Sequence, residues 1–372
     1  MAGGIMMTMH RMSQGGADRV AILLANGFVE AGIETDFVLL RDGGEGEAVL
    51  TAMLDRRVRM HCAGAPMASR HLELVRGRAF IRDQAAAIQP AVVLASSSNM
   101  GLVTGLAMRG RGTSGPRLAM KLTNPVFRPQ DKGAVRTRYR RALYRFIFGH
   151  YDQVMILTDA ERAALSRTYP GLAKRMVTVP NAYIDAAMRP EPRAANAAPQ
   201  LLTLARMMPQ KRLDLMLDAF ARVERRDARL TILGDGPLRP MLEQRAAALG
   251  IADRVAMPGF VADVLPALRE ADLFLLSSDY EGLPGAALEA LACGVPVVTT
   301  DCFAGARELL GGAAGCAVTL VGDSAALAQA IDRSLAQPRN AEALAAIALP
   351  YRIDSSIAAH IAALAPSMAG GR

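Results

Sequence analysis

LFLLSSDYEGLPGAALEALACGVPVVTT (273–300) is the stretch on which the fold turns. LFLLSS (273–278) reads as a buried strand, a Gly-Leu-Pro-Gly turn follows, an apolar helix is expected near 285–293, and PVVTT (296–300) is the next strand. Outward from there the same alternation repeats. LLTLA (201–205) precedes a helix over 211–223 that places Leu213, Met216, Leu217 and Phe220 on one face. RLTILG (229–234) precedes a helix over Leu238–Leu249 that Gly250 ends, and RVAMPG (254–259) precedes a helix near 262–270. Strands alternating with helices at this spacing imply an α/β fold with a parallel sheet covered on both faces.

The N-terminal half repeats the pattern less cleanly. A helix is expected from about Ala17 to Ala31, and FVLL (37–40), RVRM (57–60), VVLAS (92–96), LAMKLT (118–123), QVMILT (153–158) and MVTVP (176–180) read as strands. RPEPRAANAAPQ (189–200) has no apolar period and reads as a linker. The expected organisation is one doubly wound domain over 1–188, the linker at 189–200, a second domain over 201–350, and a terminal helix and tail over 351–372. Ligands of such sheets lie beyond the C-terminal ends of the strands, so residues just after each strand are the candidates.

Composition sets limits. The 372 residues are 51% apolar, which excludes wholesale disorder, and 5% aromatic with no Trp, which argues against a carbohydrate module built on stacking platforms. Cys62, Cys293, Cys302 and Cys316 form no CxxC pair and read as scattered core residues. IMMTM is too short for a signal-peptide core. The uncharged run 90–108 is broken by SSSN and reads as a strand plus a loop and helix, not a membrane span, so a cytoplasmic protein is expected. Residues 1–190 hold 26 Lys and Arg against 15 Asp and Glu, and residues 191–372 hold 17 against 20, so the net +8 is concentrated in the first half. Lys132–Arg145 carries six cations with Tyr139, Tyr144, Phe146 and Phe148 interleaved; it reads either as a solvated helix face or as a contact to an anionic membrane leaflet. No nucleic-acid-binding module accompanies the charge, and nucleic acid is not an expected partner.

Three strand ends carry chemistry. After LLTLA, Arg206 and Lys211 flank a turn that opens a helix, an arrangement that favours phosphate. After RLTILG comes Gly234-Asp-Gly-Pro, which lacks the third glycine of the dinucleotide fingerprint, so a dehydrogenase is disfavoured. After LFLLSS, Glu281 stands in the loop and Glu289 inside an apolar helix, where a carboxylate needs partners such as ribose or sugar hydroxyls.

Taken together, these segments resemble a family 4 retaining glycosyltransferase of the GT-B architecture. EGLPGAALE matches the family's Glu–seven residues–Glu signature, and ALACGVPVVTTDCFAGARELL its continuation. LTLARMMPQKRLDLMLDAFARV is similar to the phosphate-binding stretch, with Ala205 where a Gly is usual; LTILGDGPLRPMLE, VAMPGFV and GGADRVAILLANGFVEAGIETDFVLL match too. The likeness covers nearly the whole chain and is densest over 200–310. The TDCFAGARELL run resembles members that build lipopolysaccharide and other surface glycans.

The resemblance implies two Rossmann-like domains facing across a cleft, with the C-terminal helix crossing back to the N-terminal domain. It implies that a hexose-type sugar moves, with retention, from a nucleotide sugar (UDP-linked by expectation) to a glycan or lipid-linked acceptor. Arg206 and Lys211 would hold the diphosphate and Glu289 the ribose. Glu281 would face the sugar, with the backbone of Gly282, Leu283, Pro284 and Gly285 against sugar or phosphate. Gly15 and Gly16 would bring a helix start to the phosphates, and Gly234, Phe260 and Val261 would lie near base and ribose. Where many members carry a sugar-facing His, this chain has Lys121 and Asn124 nearby. No metal or other cofactor is expected, since two cations meet the charge of the leaving diphosphate. Front-face attack needs no carboxylate pair of the hydrolase kind. Sharing the architecture, a UDP-sugar 2-epimerase, a phosphorylase or a non-catalytic sugar-nucleotide sensor are the alternatives.

Overall fold

The computed structural model describes residues 3–12, 16–42, 51–64, 70–112, 114–127 and 133–369. The chain divides into two units, one of Met1–Ala182 with Ile353–Arg372 and one of Tyr183–Arg352.

The first unit opens with β1 (Ile5–Met9), α1 (Gly16–Glu30), β2 (Thr35–Leu39) and β3 (Arg59–Cys62). It continues through α2 (Arg70–Ile88), β4 (Val92–Ala95), α3 (Gly101–Ala107) and β5 (Arg117–Lys121). Then come α4 (Ala134–Gly149), β6 (Gln153–Ile156), α5 (Asp159–Thr168) and β7 (Met176–Thr178). Its seven strands are parallel in the order β3-β2-β1-β4-β5-β6-β7, with Met7 opposite Phe37 on one side and Leu94 on the other. β1 and β4 are fully buried because helices cover both faces. The uncharged run 90–108 is β4, a turn and α3, and no described helix is long and apolar enough to cross a membrane. Cys62 lies exposed on edge strand β3, not in the core as expected.

The second unit holds β8 (Gln200–Leu204), α6 (Leu213–Phe220), β9 (Arg229–Leu233), α7 (Arg239–Ala248) and β10 (Val255–Gly259). It goes on with α8 (Leu265–Glu270), β11 (Leu273–Leu276), α9 (Gly285–Ala292) and β12 (Val297–Thr300). α10 (Ala306–Leu310), β13 (Ala317–Thr319), α11 (Ser324–Leu335) and α12 (Ala341–Ala348) complete it. The strand order is β10-β9-β8-β11-β12-β13, again all parallel. Both units therefore have Rossmann-like topology, with the order reversing between β1 and β4 in one and between β8 and β11 in the other.

The segment 189–200 departs from the linker reading. It belongs to the second unit, which begins at Tyr183. Arg193 and Asn196 both bond the Asp272 carboxylate just before β11, and Glu191 pairs with Arg269 at 2.7 Å. A composition rich in Pro and Ala lacks helical or strand period, yet three polar side chains are enough to strap it down.

The last helix, α13 (Ile353–Ala369), belongs to the first unit, separate in sequence from the rest of it. Ile357 lies where a Cβ on Gly27 of α1 would stand only 2.1 Å from its Cδ1, so that glycine admits the helix. Ser356 Oγ donates to Pro180 O at 2.7 Å, and Gln153 Nε2 to Ala363 O at 3.0 Å. Deeper in, Lys121 Nζ donates to His360 Nε2 at 2.6 Å, while His360 Nδ1 donates to Ser356 O at 2.7 Å. Both side chains are fully buried. Lys121 is therefore not a substrate contact, as the sequence reading expected, but a structural partner of α13.

Burial without a carboxylate pulls the Lys121 ammonium down to about 7 and holds the His360 imidazole well below its ordinary value. The unfolded Lys keeps its proton to about pH 10. Between pH 7 and that value the unfolded chain binds more protons, so this residue makes stability rise with pH across the window. Thermal denaturation from pH 7 to 10 is expected to show that rise, and Lys121→Met should flatten it. Parallel profiles for both proteins would mean that another group titrates.

Candidate functional site

The C-terminal ends of β8, β9, β10, β11 and β12 are tied into one edge by backbone contacts. Ala205 N donates to Leu233 O at 2.9 Å, Met207 N to Asp235 O at 2.8 Å and Gly234 N to Gly259 O at 2.8 Å. Gly234 has φ +129°, and a Cβ there would stand 2.2 Å from Ala205 O; one on Gly236 would stand 2.6 Å from Met207 O. The glycines after β9 thus permit backbone-to-backbone approach within the protein. Phe260, just beyond β10, is exposed, and Val261 is half-buried.

The turn after β8 is locked to the turn after β11. Ser277 Oγ donates to both Lys211 O and Arg212 O at 2.9 Å, Asp279 N to Gln210 O at 2.9 Å, and Gln210 Nε2 to Tyr280 O at 2.6 Å. Arg212, in the left-handed region at φ +47°, pairs with Asp214 and with Asp279 at 3.1 and 3.2 Å. This lock brings Lys211 Nζ to 2.6 Å from Glu281 Oε1, which also accepts from Ser278 Oγ at 2.6 Å. Glu281 N donates to Cys302 O after β12, and Thr300 Oγ1 donates to Ser278 O, both at 2.6 Å. Burial raises the Cys302 thiol to about 12, so it stays neutral beside the pair. The Lys211–Glu281 contact sits between β8 and β11, where the strand order of this sheet reverses.

Arg206 is exposed and makes no ion pair among the described residues. Glu289 is buried in α9, on a helix whose neighbouring positions 287–292 are all buried. α9 starts at Gly285, as the expected helix near 285–293 does, with Pro284 as the residue before it and no side-chain cap. In its first turn Ala287 N donates to Pro284 O at 3.1 Å, and Pro284 supplies no side-chain cap to the amides before Ala287. Gly282 and Leu283 form the bend that leads in. Arg206, Lys211, Glu281, Gly282–Gly285 and Glu289 are therefore all placed by one edge of one sheet.

In the first unit, Gly16 is the first residue of α1; Gly15 lies outside the described residues. Asn124 is half-buried after β5, where Ser98 Oγ accepts from Thr123 N at 3.0 Å and so ties the turn after β5 to that after β4. The sequence reading missed His360, which sits 239 positions from Lys121. Only a helix known to return to β5 would have signalled it.

A second surface lies on α4. Val135, Tyr139 and Phe146 are 83%, 68% and 47% exposed and recur at steps of four and seven, which aligns them in one stripe. Arg136, Arg138, Arg141 and Arg145 are also exposed, and Lys132 lies outside the described residues. The opposite side is anchored: Arg140 Nε donates to Val126 O, and Phe148 is fully buried.

Among the described residues, no group of three or more His, Cys, Asp and Glu converges as for a metal ion. A cavity of about 180 Å3 lies away from the strand C-termini, lined by Glu191, Arg193, Arg269, Cys293 and Arg339 among others.

Residues 15–182 match the glycosyl transferase 4-like domain, and residues 198–337 match glycosyl transferases group 1. The chain is similar to the GDP-mannose-dependent alpha-(1-6)-phosphatidylinositol monomannoside mannosyltransferase of Mycolicibacterium smegmatis, 32% identical over 59% of this chain and 56% of the relative. It is similar also to the lipopolysaccharide core biosynthesis glycosyltransferase LpsE of Rhizobium meliloti, 33% identical over 37% of this chain and 40% of the relative. The chain thus spans about half the length of these curated relatives or less. Among solved structures, Anabaena HepE in complex with UDP and glucose superposes with a TM-score of 0.77 at 18% identity, over 98% of this chain and 100% of that one. That likeness is one of fold.

The glycine contacts generate a stability test. Gly234→Ala would combine a strained φ with a collision against backbone, and a loss of at least about 2 kcal/mol is expected. Gly312→Ala, where a Cβ meets nothing within 4 Å, should stay within about 0.5 kcal/mol of the parent. Urea denaturation of both variants makes the comparison, and equal midpoints would refute the assigned backbone contact.

Proposed function

We infer the activity from the premise that this chain belongs to the glycosyltransferases, with a 4-like domain in its N-terminal half and a group 1 domain in its C-terminal half. We propose that it moves a hexose-type sugar, with retention, from a UDP-sugar to a glycan or lipid-linked acceptor in surface polysaccharide or lipopolysaccharide synthesis. The observation that carries this reading is the Lys211–Glu281 contact of 2.6 Å at the switch point of the second sheet. A cation and a carboxylate meet there, where doubly wound sheets take their ligands. HepE was solved with UDP and glucose, which supports a UDP donor, and LpsE by its name acts in lipopolysaccharide core synthesis, which supports a surface-glycan acceptor.

In this reading Arg206 and Lys211 take the diphosphate. As the glycosyl–phosphate bond breaks, negative charge grows on the leaving group and positive charge on the anomeric carbon. Lys211 then exchanges its carboxylate partner for a phosphate oxygen. Glu281, released, accepts from sugar hydroxyls, while Glu289 accepts from the ribose. The uncapped start of α9 adds backbone donors and a favourable dipole end. The protein's own cations meet the charge, and no metal ion is called for. The stripe on α4 is assigned to an anionic membrane surface near a lipid-linked acceptor, with the apolar side chains entering the headgroup region and the arginines beside them.

Arg206→Ala and Lys211→Ala are each expected to lower kcat about 10²–10³-fold, by analogy with loss of one preorganised donor. Glu289→Gln should weaken UDP binding by about 1.5–3 kcal/mol, while Glu281→Gln spares UDP and lowers turnover. Steady-state kinetics with a panel of UDP-sugars and calorimetry with UDP read these out. Near-normal turnover in both cation variants would remove the assignment. The α4 surface makes a separate prediction: vesicle sedimentation should rise with anionic lipid and fall with salt. Each arginine is worth about 1 kcal/mol at the surface, so Arg138→Ser/Arg145→Ser should release the protein. Equal recovery on neutral vesicles would leave α4 a solvated face.

A further inference from the structure

Tyr183 is the first residue of the second unit, one hundred positions before the turn that opens α9. Its hydroxyl donates to Leu283 O at 3.0 Å. Its ring lies so close to Gly285 that a Cβ there would stand 2.6 Å from Cδ1 and 2.7 Å from Cε1. The Tyr183 backbone is itself held: its N–H and that of Ile184 both donate to Tyr351 O, at 3.0 and 3.1 Å, and Ile184 forms a parallel bridge to Arg352.

These contacts fix the turn at both ends. The hydrogen bond sets the Leu283 carbonyl, the proline ring restricts φ at Pro284, and ring packing sets the Gly285 Cα. Little rotational freedom remains between the Leu283 carbonyl and the first amide of α9. A bare-Cα residue at 285 is needed because an aromatic ring occupies the space of its side chain. We propose that Tyr183 is a positioning residue for the nucleotide-sugar donor, holding the Leu283–Gly285 backbone so that its amides meet the donor's distal phosphate and sugar. This rests on the donor site proposed above and identifies what aligns it.

The test is calorimetric binding of UDP, with thermal denaturation in parallel, for Tyr183→Phe, Tyr183→Ala, Gly285→Ala and the Tyr183→Ala/Gly285→Ala pair. Tyr183→Phe keeps the ring and loses one neutral hydrogen bond, and UDP affinity is expected to fall about three- to tenfold. Gly285→Ala should cost more, and adding Tyr183→Ala should recover part of that loss, because the ring that the new methyl strikes is gone. A merely structural tyrosine would shift Tm and leave UDP affinity alone. Wild-type UDP binding by Tyr183→Phe and Gly285→Ala, alongside weakened binding by Lys211→Ala, would overturn the positioning role while the donor site stands. Wild-type binding by Lys211→Ala as well would overturn the donor site and this role with it.

Discussion

Lys211 and Glu281 meet at 2.6 Å because two turns, after β8 and after β11, are hydrogen-bonded to each other along their backbones. Much of the second unit can be understood from that lock. Parallel strands fix where each turn begins, and the Ser277 and Gln210 bonds then leave the turns no independent movement. Charged side chains on such turns are placed to within a hydrogen-bond length without a rigid scaffold of their own. An ion pair this little exposed is strengthened by its surroundings, but it also has to offset the cost of leaving water. Ser278 offsets part of it through a second hydrogen bond to the same carboxylate oxygen.

The architecture was largely legible in the sequence. Apolar runs such as LFLLSS and VVLAS are strands buried on both faces, and such runs need no tertiary information to be read. Positions of the candidate site were legible for the same reason, since they directly follow strands. What could not be read was pairing. Nothing in the spacing of Lys211 and Glu281 says that they touch, and the buried Lys121–His360 bond joins residues from opposite ends of the chain. Composition misled at 189–200, where Arg193 and Asn196 reach Asp272 from a segment without periodicity. Nor does the sequence show that Gly234 packs its backbone against the Ala205 carbonyl.

The cations divide into two kinds. Lys211 and Arg212 are already engaged by carboxylates, and their placement is set before any ligand arrives. Arg206 makes no ion pair among the described residues and stands exposed. A long exposed side chain loses conformational entropy when it takes hold of an anion, whereas a pre-placed lysine loses little. In the proposed donor site, preorganisation and reach would thus fall to different residues of the same turn.

The return of α13 to the first unit has a consequence for synthesis on the ribosome. Residues 183–352 form a contiguous unit, inserted between β7 and α13 of the other. The second unit has its whole sequence available once residue 352 has emerged, whereas the first must wait with the Gly27 groove of α1 uncovered and Lys121 without its histidine. Chains usually complete their N-terminal domain first; here the order of completion is inverted. Any truncation before α13 would strand the first unit in that unfinished state, with α1 uncovered at Gly27.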